Sequence, residues 1–146
     1  VKSHVQRINP QRPIQMEAYR VHGISMDQLV GCPTWENFAP LVQKLFQKVD
    51  LVVAHNGFEF DLPFISAEMK RVGLDVPNVL VFDTMQESRW ATPFGKFPNL
   101  RELCFAFDVD YDTSKAHAAD YDVDVMMACF FKGLEFGVYK VEGAVE

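Results

Sequence analysis

Leu51-Val52-Val53-Ala54-His55-Asn56-Gly57-Phe58-Glu59-Phe60-Asp61-Leu62-Pro63-Phe64-Ile65 joins three kinds of sequence in one short stretch. Its first four residues are an apolar run with the length of a strand covered on both faces. His55-Asn56-Gly57 is a polar turn. From Asp61 onward, Leu62, Phe64, Ile65, Met69 and Val72 follow at helical spacing until Gly73 stops the helix. A strand that runs through a polar loop into a helix is a building unit of α/β domains, and ligands bind such sheets at the carboxyl ends of the strands. Asp61 therefore stands where a site is expected. Aspartate is also a favoured helix N-cap that accepts backbone hydrogen bonds and complements the helix dipole, and taken alone the cap is the preferred reading. His55 and Asn56 can likewise close the turn by hydrogen bonding.

The same alternation continues outward. His4 to Ile8 is expected as a short strand ended by Asn9-Pro10. Thr34 caps a helix from Trp35 to Lys48, and Val79 to Phe82 reads as a second buried strand. Asp83 or Thr84 then caps a short helix, with Gln86 and Glu87 as capping-box partners. After a glycine and proline loop, Leu100 to Phe107 is helical by spacing, and the longest apolar stripe runs from about Ala118 to Phe136. Helices alternating with short buried strands predict a three-layer α/β domain. The chain of 146 residues has the length of one domain, and 49% hydrophobic residues, including 13 Phe, exclude disorder. No window approaches the ~18 apolar residues of a membrane span, and Val1 to Gln6 lack the apolar stretch of a signal peptide, so a cytoplasmic chain is expected. Cys32, Cys104 and Cys129 show neither a disulfide frame nor zinc spacing and read as small core residues.

A net charge of −6 argues at first against phosphate-bearing partners, but the charge is unevenly spread. Residues 1–20 carry a local balance of +3 from Lys2, Arg7, Arg12 and Arg20 against Glu17. Residues 101–124 carry −5, with Glu102, Asp108, Asp110, Asp112, Asp120, Asp122 and Asp124 against Arg101 and Lys115. Carboxylates crowded in this way either repel one another or share a cation. Within this segment His117 and Asp122 are five residues apart, which on one regular helix sets their side chains ~140° apart. His117 must therefore precede the helix, from where a loop can swing it toward a site that Asp122 faces. Asp122 heads the stripe Val125, Met126, Cys129 and Phe130, so its carboxylate is expected to point inward, whereas Asp120 and Asp124 fall on solvated faces.

Taken together, His55-Asn56-Gly57-Phe58-Glu59-Phe60-Asp61, followed by His117 and Asp122, resembles the second and third motifs of the DEDDh exonucleases. That superfamily includes the proofreading subunit of bacterial replicative DNA polymerase, ribonuclease T and the three-prime repair exonucleases. Asn9-Pro10 with Arg12-Pro13-Ile14, Val21-His22-Gly23-Ile24-Ser25 and Phe82-Asp83-Thr84 extend the resemblance in the family's order. Three residues between Gly57 and Asp61 bring the second motif closer to the repair-exonuclease branch. The resemblance implies a ribonuclease H-like α/β fold with a mixed sheet flanked by helices. It also implies 3′-to-5′ hydrolysis of phosphodiester bonds at a nucleic-acid 3′ end, with DNA favoured over RNA and a polymerase or repair protein as possible partner. Asp61 and Asp122 would be catalytic metal ligands for Mg²⁺ or Mn²⁺, two per site, and His117 the general base. Hard cations take carboxylate oxygens, and histidine, which titrates near ~6.5, can accept a proton from water at neutral pH. Val21 and Phe60 match positions that pack against terminal nucleotides, with plain core packing as their other reading. His22 and Asn56 would help shape the nucleotide pocket, although hydrogen bonds within their loops explain them equally well.

The family's first motif, an Asp-x-Glu that supplies two more metal-binding carboxylates, occurs nowhere in the sequence. Asp83-Thr84-Met85 is not a substitute, because Met85 takes the place of the glutamate and the segment lies downstream of the second motif. The family pattern puts the motif on a strand ahead of Val1, so residues 1–146 read as an N-terminally incomplete exonuclease domain. The rival is a catalytically inactive nucleic-acid-binding or partner-docking module of the same fold. Asp108, Asp110 and Asp112 resemble the start of a calcium loop, but Thr113 stands where its glycine belongs and Ala119 where its glutamate belongs.

Overall fold

The computed structural model describes residues 2–76 and 78–142. Contacts divide the chain into two compact units, Val1–Val49 with Pro63–Val79, and Asp50–Leu62 with Leu80–Glu146.

In the first unit, the strand expected over His4 to Ile8 does not form. The nearest backbone pairing among the described residues is an isolated bridge between Asn9, just past its end, and Thr34, with the Asn9 N–H donating to the Pro33 carbonyl at 2.8 Å. A strand needs a neighbour to complete its ladder, and among the described residues this segment meets one only past its last residue, at Asn9. Helix α1, Met16–His22, buries none of its residues and ends at Gly23, whose φ of 66° is the left-handed conformation that favours glycine. Helix α2, Trp35–Phe46, follows the expectation, with the Thr34 hydroxyl accepting from the Asn37 N–H. The Trp35 indole donates to the Glu68 carbonyl on helix α3, Leu62–Arg71, and Leu29, Ala39 and Met69 are buried.

In the second unit, strand β1, Leu51–Ala54, pairs in parallel with β2, Leu80–Asp83, in the register Leu51 to Leu80 through Ala54 to Asp83. The described residues thus contribute a parallel pair, and the mixed sheet expected from the resemblance is not represented among them. Strand β1 is half-exposed rather than covered on both faces. Leu51 and Val53 pack on the core, while Val52 and Ala54, on the opposite face, do not join it. That core is built from Phe82, helix α4 (Leu100–Ala106), helix α5 (Ala119–Glu135) and Tyr139. Phe82 meets Phe130 and Tyr139 edge to face, with ring centroids 5.1 and 4.9 Å apart. Cys104 and Cys129 lie fully buried in it as free thiols, as expected for core residues, whereas Cys32 in the first unit is only partly buried. No helix among the described residues is long and apolar enough to cross a membrane.

Candidate active site

Because Ala54 and Asp83 are register partners, the loops leaving β1 and β2 emerge side by side. Asp83, 1% exposed, locks them together. Its carboxylate accepts from the Asn56 N–H at 2.9 Å and the Phe58 N–H at 3.2 Å in the first loop, and from Met85 and Gln86 at 3.0 and 3.4 Å in the second. The expected capping box does not form, since the short helix Gln86–Ala91 starts from Met85 without a side-chain cap, and Asp83 instead closes the turn ahead of it and clasps the two loops. His55 acts alongside it, with Nδ1 2.9 Å from the Thr84 hydroxyl and Nε2 3.0 Å from the Pro98 carbonyl. The carbonyl only accepts, so Nε2 donates. Burial pushes the His55 pKa down and keeps the ring neutral, against the opposing pull of the Pro98 bond and the Asp83 charge. Asn56 turns the chain at a φ of 66°, and Gly57 is required next, because a Cβ there would sit 2.5 Å from that of Ala54.

This clasped turn delivers Asp61. Residues Gly57–Asp61 form a wide π-type turn, closed by the Leu62 N–H donating to the Gly57 carbonyl, and Asp61 is its last residue rather than a simple N-cap of α3. Such turns recur at functional sites. Asp61 is half-buried, and its pKa is raised first by burial and further by the charge of Asp83, against a backbone contact of its own. A cation nearby would reverse that balance. Phe60, beside it, is 66% exposed, and Val21, on the other compact unit, is 60% exposed, so core packing accounts for neither. His22, also on that unit, accepts through Nδ1 from the Ile24 N–H at 2.9 Å, the local bond allowed for by its alternative reading.

Asp122 sits in the first turn of α5, its N–H donating to the Ala118 carbonyl. Its Oδ1 is buried and has no hydrogen-bond partner among the described residues. A carboxylate oxygen withdrawn from water without a partner is costly, and a native exception calls for an explanation such as an ion. Its charge also raises the Tyr111 pKa, after the larger effect of burial. His117 lies ahead of α5, as the spacing requires, exposed and at a φ of 68°. Asp120 and Asp124 are exposed.

The second unit thus carries Asn56, Phe60, Asp61, His117 and Asp122, and the first carries Val21 and His22. Among the described residues, no three His, Cys, Asp or Glu side chains gather into a group able to hold a metal ion. Mg²⁺ is commonly held by one or two carboxylates completed by water and phosphate oxygens, so the donor chemistry of Asp61 and Asp122 suits it, while a pair of cations needs further carboxylates. Sequence reasoning missed His55 and Asp83 as organisers of the site. The available signal was an aspartate directly after a buried apolar run.

Comparison with known proteins identifies the family and the fold. An RNase T-type family model, described as an exonuclease, matches residues 1–130. The DNA polymerase III subunit epsilon of Pasteurella multocida is 30% identical over 82% of this chain and 47% of its own length. That of Rickettsia conorii is 33% identical over 82% and 52%. The 3′-5′ exonuclease DinG of Bacillus subtilis is 32% identical over 88% of this chain and 13% of its own. The chain spans about half the length of these epsilon subunits. Among solved structures, Exonuclease X in complex with 5′ overhanging duplex DNA superimposes with a TM-score of 0.63 at 22% identity, covering 92% of this chain and 74% of the other, a likeness of fold.

Proposed function

The chain belongs to the DEDDh exonuclease superfamily, with a ribonuclease H-like α/β fold, and from that premise we propose that it works as a metal-dependent 3′-to-5′ exonuclease on DNA. The observation that carries the proposal is the buried, unpartnered Oδ1 of Asp122 on the helix that follows His117. Asp122 and Asp61 would hold divalent cations, Mg²⁺ or Mn²⁺, which when bound stabilise charge on the attacking and leaving oxygens of an in-line phosphodiester displacement. A pair of cations would take further carboxylates besides these two. The clasp of Asp83 and His55 fixes the turn that presents Asp61, so this carboxylate need not reorganise when substrate arrives. His117, exposed on its turn, takes the proton from the attacking water at a ring nitrogen. The ring of Phe60 packs against a terminal base, a contact indifferent to sequence, and Val21, on the other compact unit, is a separate candidate for an apolar contact with nucleic acid. The names of the relatives support DNA over RNA.

A 5′-labelled oligonucleotide incubated with the full-length protein and Mn²⁺ or Mg²⁺ should shorten one nucleotide at a time from its 3′ end, and chelation should stop it. Internal cuts, or shortening that persists in chelator, would count against the proposal. The second reading, an inactive binding module, is favoured by the absence of a three-donor group among the described residues. It predicts oligonucleotide binding with no shortening in either metal.

A further inference from the structure

Residues 88–101 contain Arg89, Lys96 and Arg101 and no acidic residue, in a chain of net charge −6. Interleaved with these cations are three exposed aromatic residues, Trp90 at 50%, Phe94 at 105% and Phe97 at 46% exposure. The backbone at Phe94 is left-handed, with φ 59° and ψ 18°, a conformation that costs a bulky side chain energy and is cheap for glycine. Gly95 follows at a φ of 67°, so two consecutive left-handed residues invert the chain and thrust the Phe94 ring outward. The ring buries nothing that would offset this strain, and strain retained in a well-anchored loop points to function rather than folding.

The loop is firmly anchored. Arg89 Nε donates to the Gly95 carbonyl at 2.6 Å, and its guanidinium carbon lies 5.1 Å from the centre of the Phe97 ring. The Thr92 hydroxyl donates to the Lys96 carbonyl, and Lys96 Nζ reaches Glu102 at 2.8 Å. Pro98, at the loop's end, is the residue whose carbonyl is held by His55, so the loop is tied to the turn that carries Asp61.

We propose that this loop is a second contact for the nucleic-acid strand, in which Phe94 stacks on a base and the neighbouring Arg89 draws in a phosphate. A flat exposed ring beside an arginine, with the one nearby lysine paired to Glu102, has the chemistry of a single-strand stacking platform, and it accepts any base. The inference rests on the nucleic-acid reading above but not on catalysis, since an inactive binding module would use the same contact.

The test uses the full-length protein and a fluorescein-labelled single-stranded DNA 20-mer, with binding read by anisotropy in EDTA. Phe94→Ala and Phe94→Gly should weaken binding about 5- to 100-fold, the range expected for one lost base stack, and Phe94→Gly should melt no lower than the wild type. Phe94→Trp should keep the affinity, with its fluorescence quenched by the bound DNA. Hydrolysis of the 4-nitrophenyl ester of thymidine 5′-monophosphate in Mn²⁺, a substrate too short to reach the loop, should be the same in all variants. Unchanged DNA affinity in Phe94→Ala and Phe94→Gly, with ester hydrolysis intact, overturns the loop proposal and leaves the nuclease reading standing. A wild type that binds the 20-mer but hydrolyses nothing, with Phe94→Ala still weakened, supports the loop and sinks the nuclease. A wild type that does neither overturns both.

Discussion

Asp83 is the residue on which both strand-end loops depend. Four backbone N–H groups converge on its buried carboxylate, and replacing it with alanine would strand several of them. Each orphaned buried donor costs about 1–3 kcal/mol, so Asp83→Ala should lose about 3 kcal/mol or more in urea unfolding. Asp83→Asn, which keeps one acceptor oxygen, should lose less. Equal losses would mean that the carboxylate is not shared between the loops. His55 carries the pH dependence of the same clasp. Its folded pKa lies below the ordinary 6.5, so protons bind the unfolded chain more readily, and its stabilising effect, complete above that value, fades as pH falls through and below 6.5. The wild type should therefore be more stable than His55→Gln at pH 8, and the gap should narrow by pH 5.5. A gap that stays constant would remove His55 as the titrating group. Asp61, His117 and Asp122 entered as candidates through the resemblance of their motifs, because taken alone the residue types fit a helix cap and loop groups equally well. The clasp could not be picked out in the sequence, since His55 and Asp83 find their partners 25 to 43 residues away in most of these bonds.

Among the elements, α2, β1, α4 and α5 were legible from their apolar spacing, which side-chain caps at Thr34 and Asn99 match in α2 and α4. Helix α1 was not, because a helix that buries none of its residues leaves no apolar stripe to read. The strand expected at His4 to Ile8 shows the converse, local β character with no ladder among the described residues to join. Helix α5 holds a close approach that only glycine permits. A Cβ on Gly133 would stand 2.1 Å from the Tyr139 ring, so Gly133→Ala must displace an aromatic residue at the centre of the core. Overpacking of this kind costs about 1–3 kcal/mol, and the Gly133→Ala midpoint in urea should drop accordingly while helix content stays constant. An unchanged midpoint would show that Tyr139 can move aside freely.

For the molecule as a whole, the net charge of −6 is a poor guide to its partner. Seven of the 20 acidic residues lie in residues 101–124 with Asp122, where cations would invert the local field, while residues 88–101 hold Arg89, Lys96 and Arg101, with Lys96 paired to Glu102. One or two phosphate contacts to a single strand predict a salt dependence of affinity no steeper than about −1.5 on logarithmic axes, and a much steeper slope would require a basic surface elsewhere. The α/β class was legible from alternation alone. The assembly of the site was less so, because a carboxylate's burial and lack of a partner are properties of packing that a sequence does not record. The proposed activity turns on that carboxylate, and the most direct measurement compares the full-length protein with its Asp122→Asn variant. Single-turnover release of the 3′ nucleotide and thermal stabilisation by Mn²⁺ would be read on the same samples. Loss of at least about 100-fold in rate together with the Mn²⁺ shift, without a lower melting temperature in chelator, is the expected result. A variant that cleaves and binds Mn²⁺ like the wild type would contradict the assignment of Asp122 as a metal ligand and, with it, the proposed mechanism.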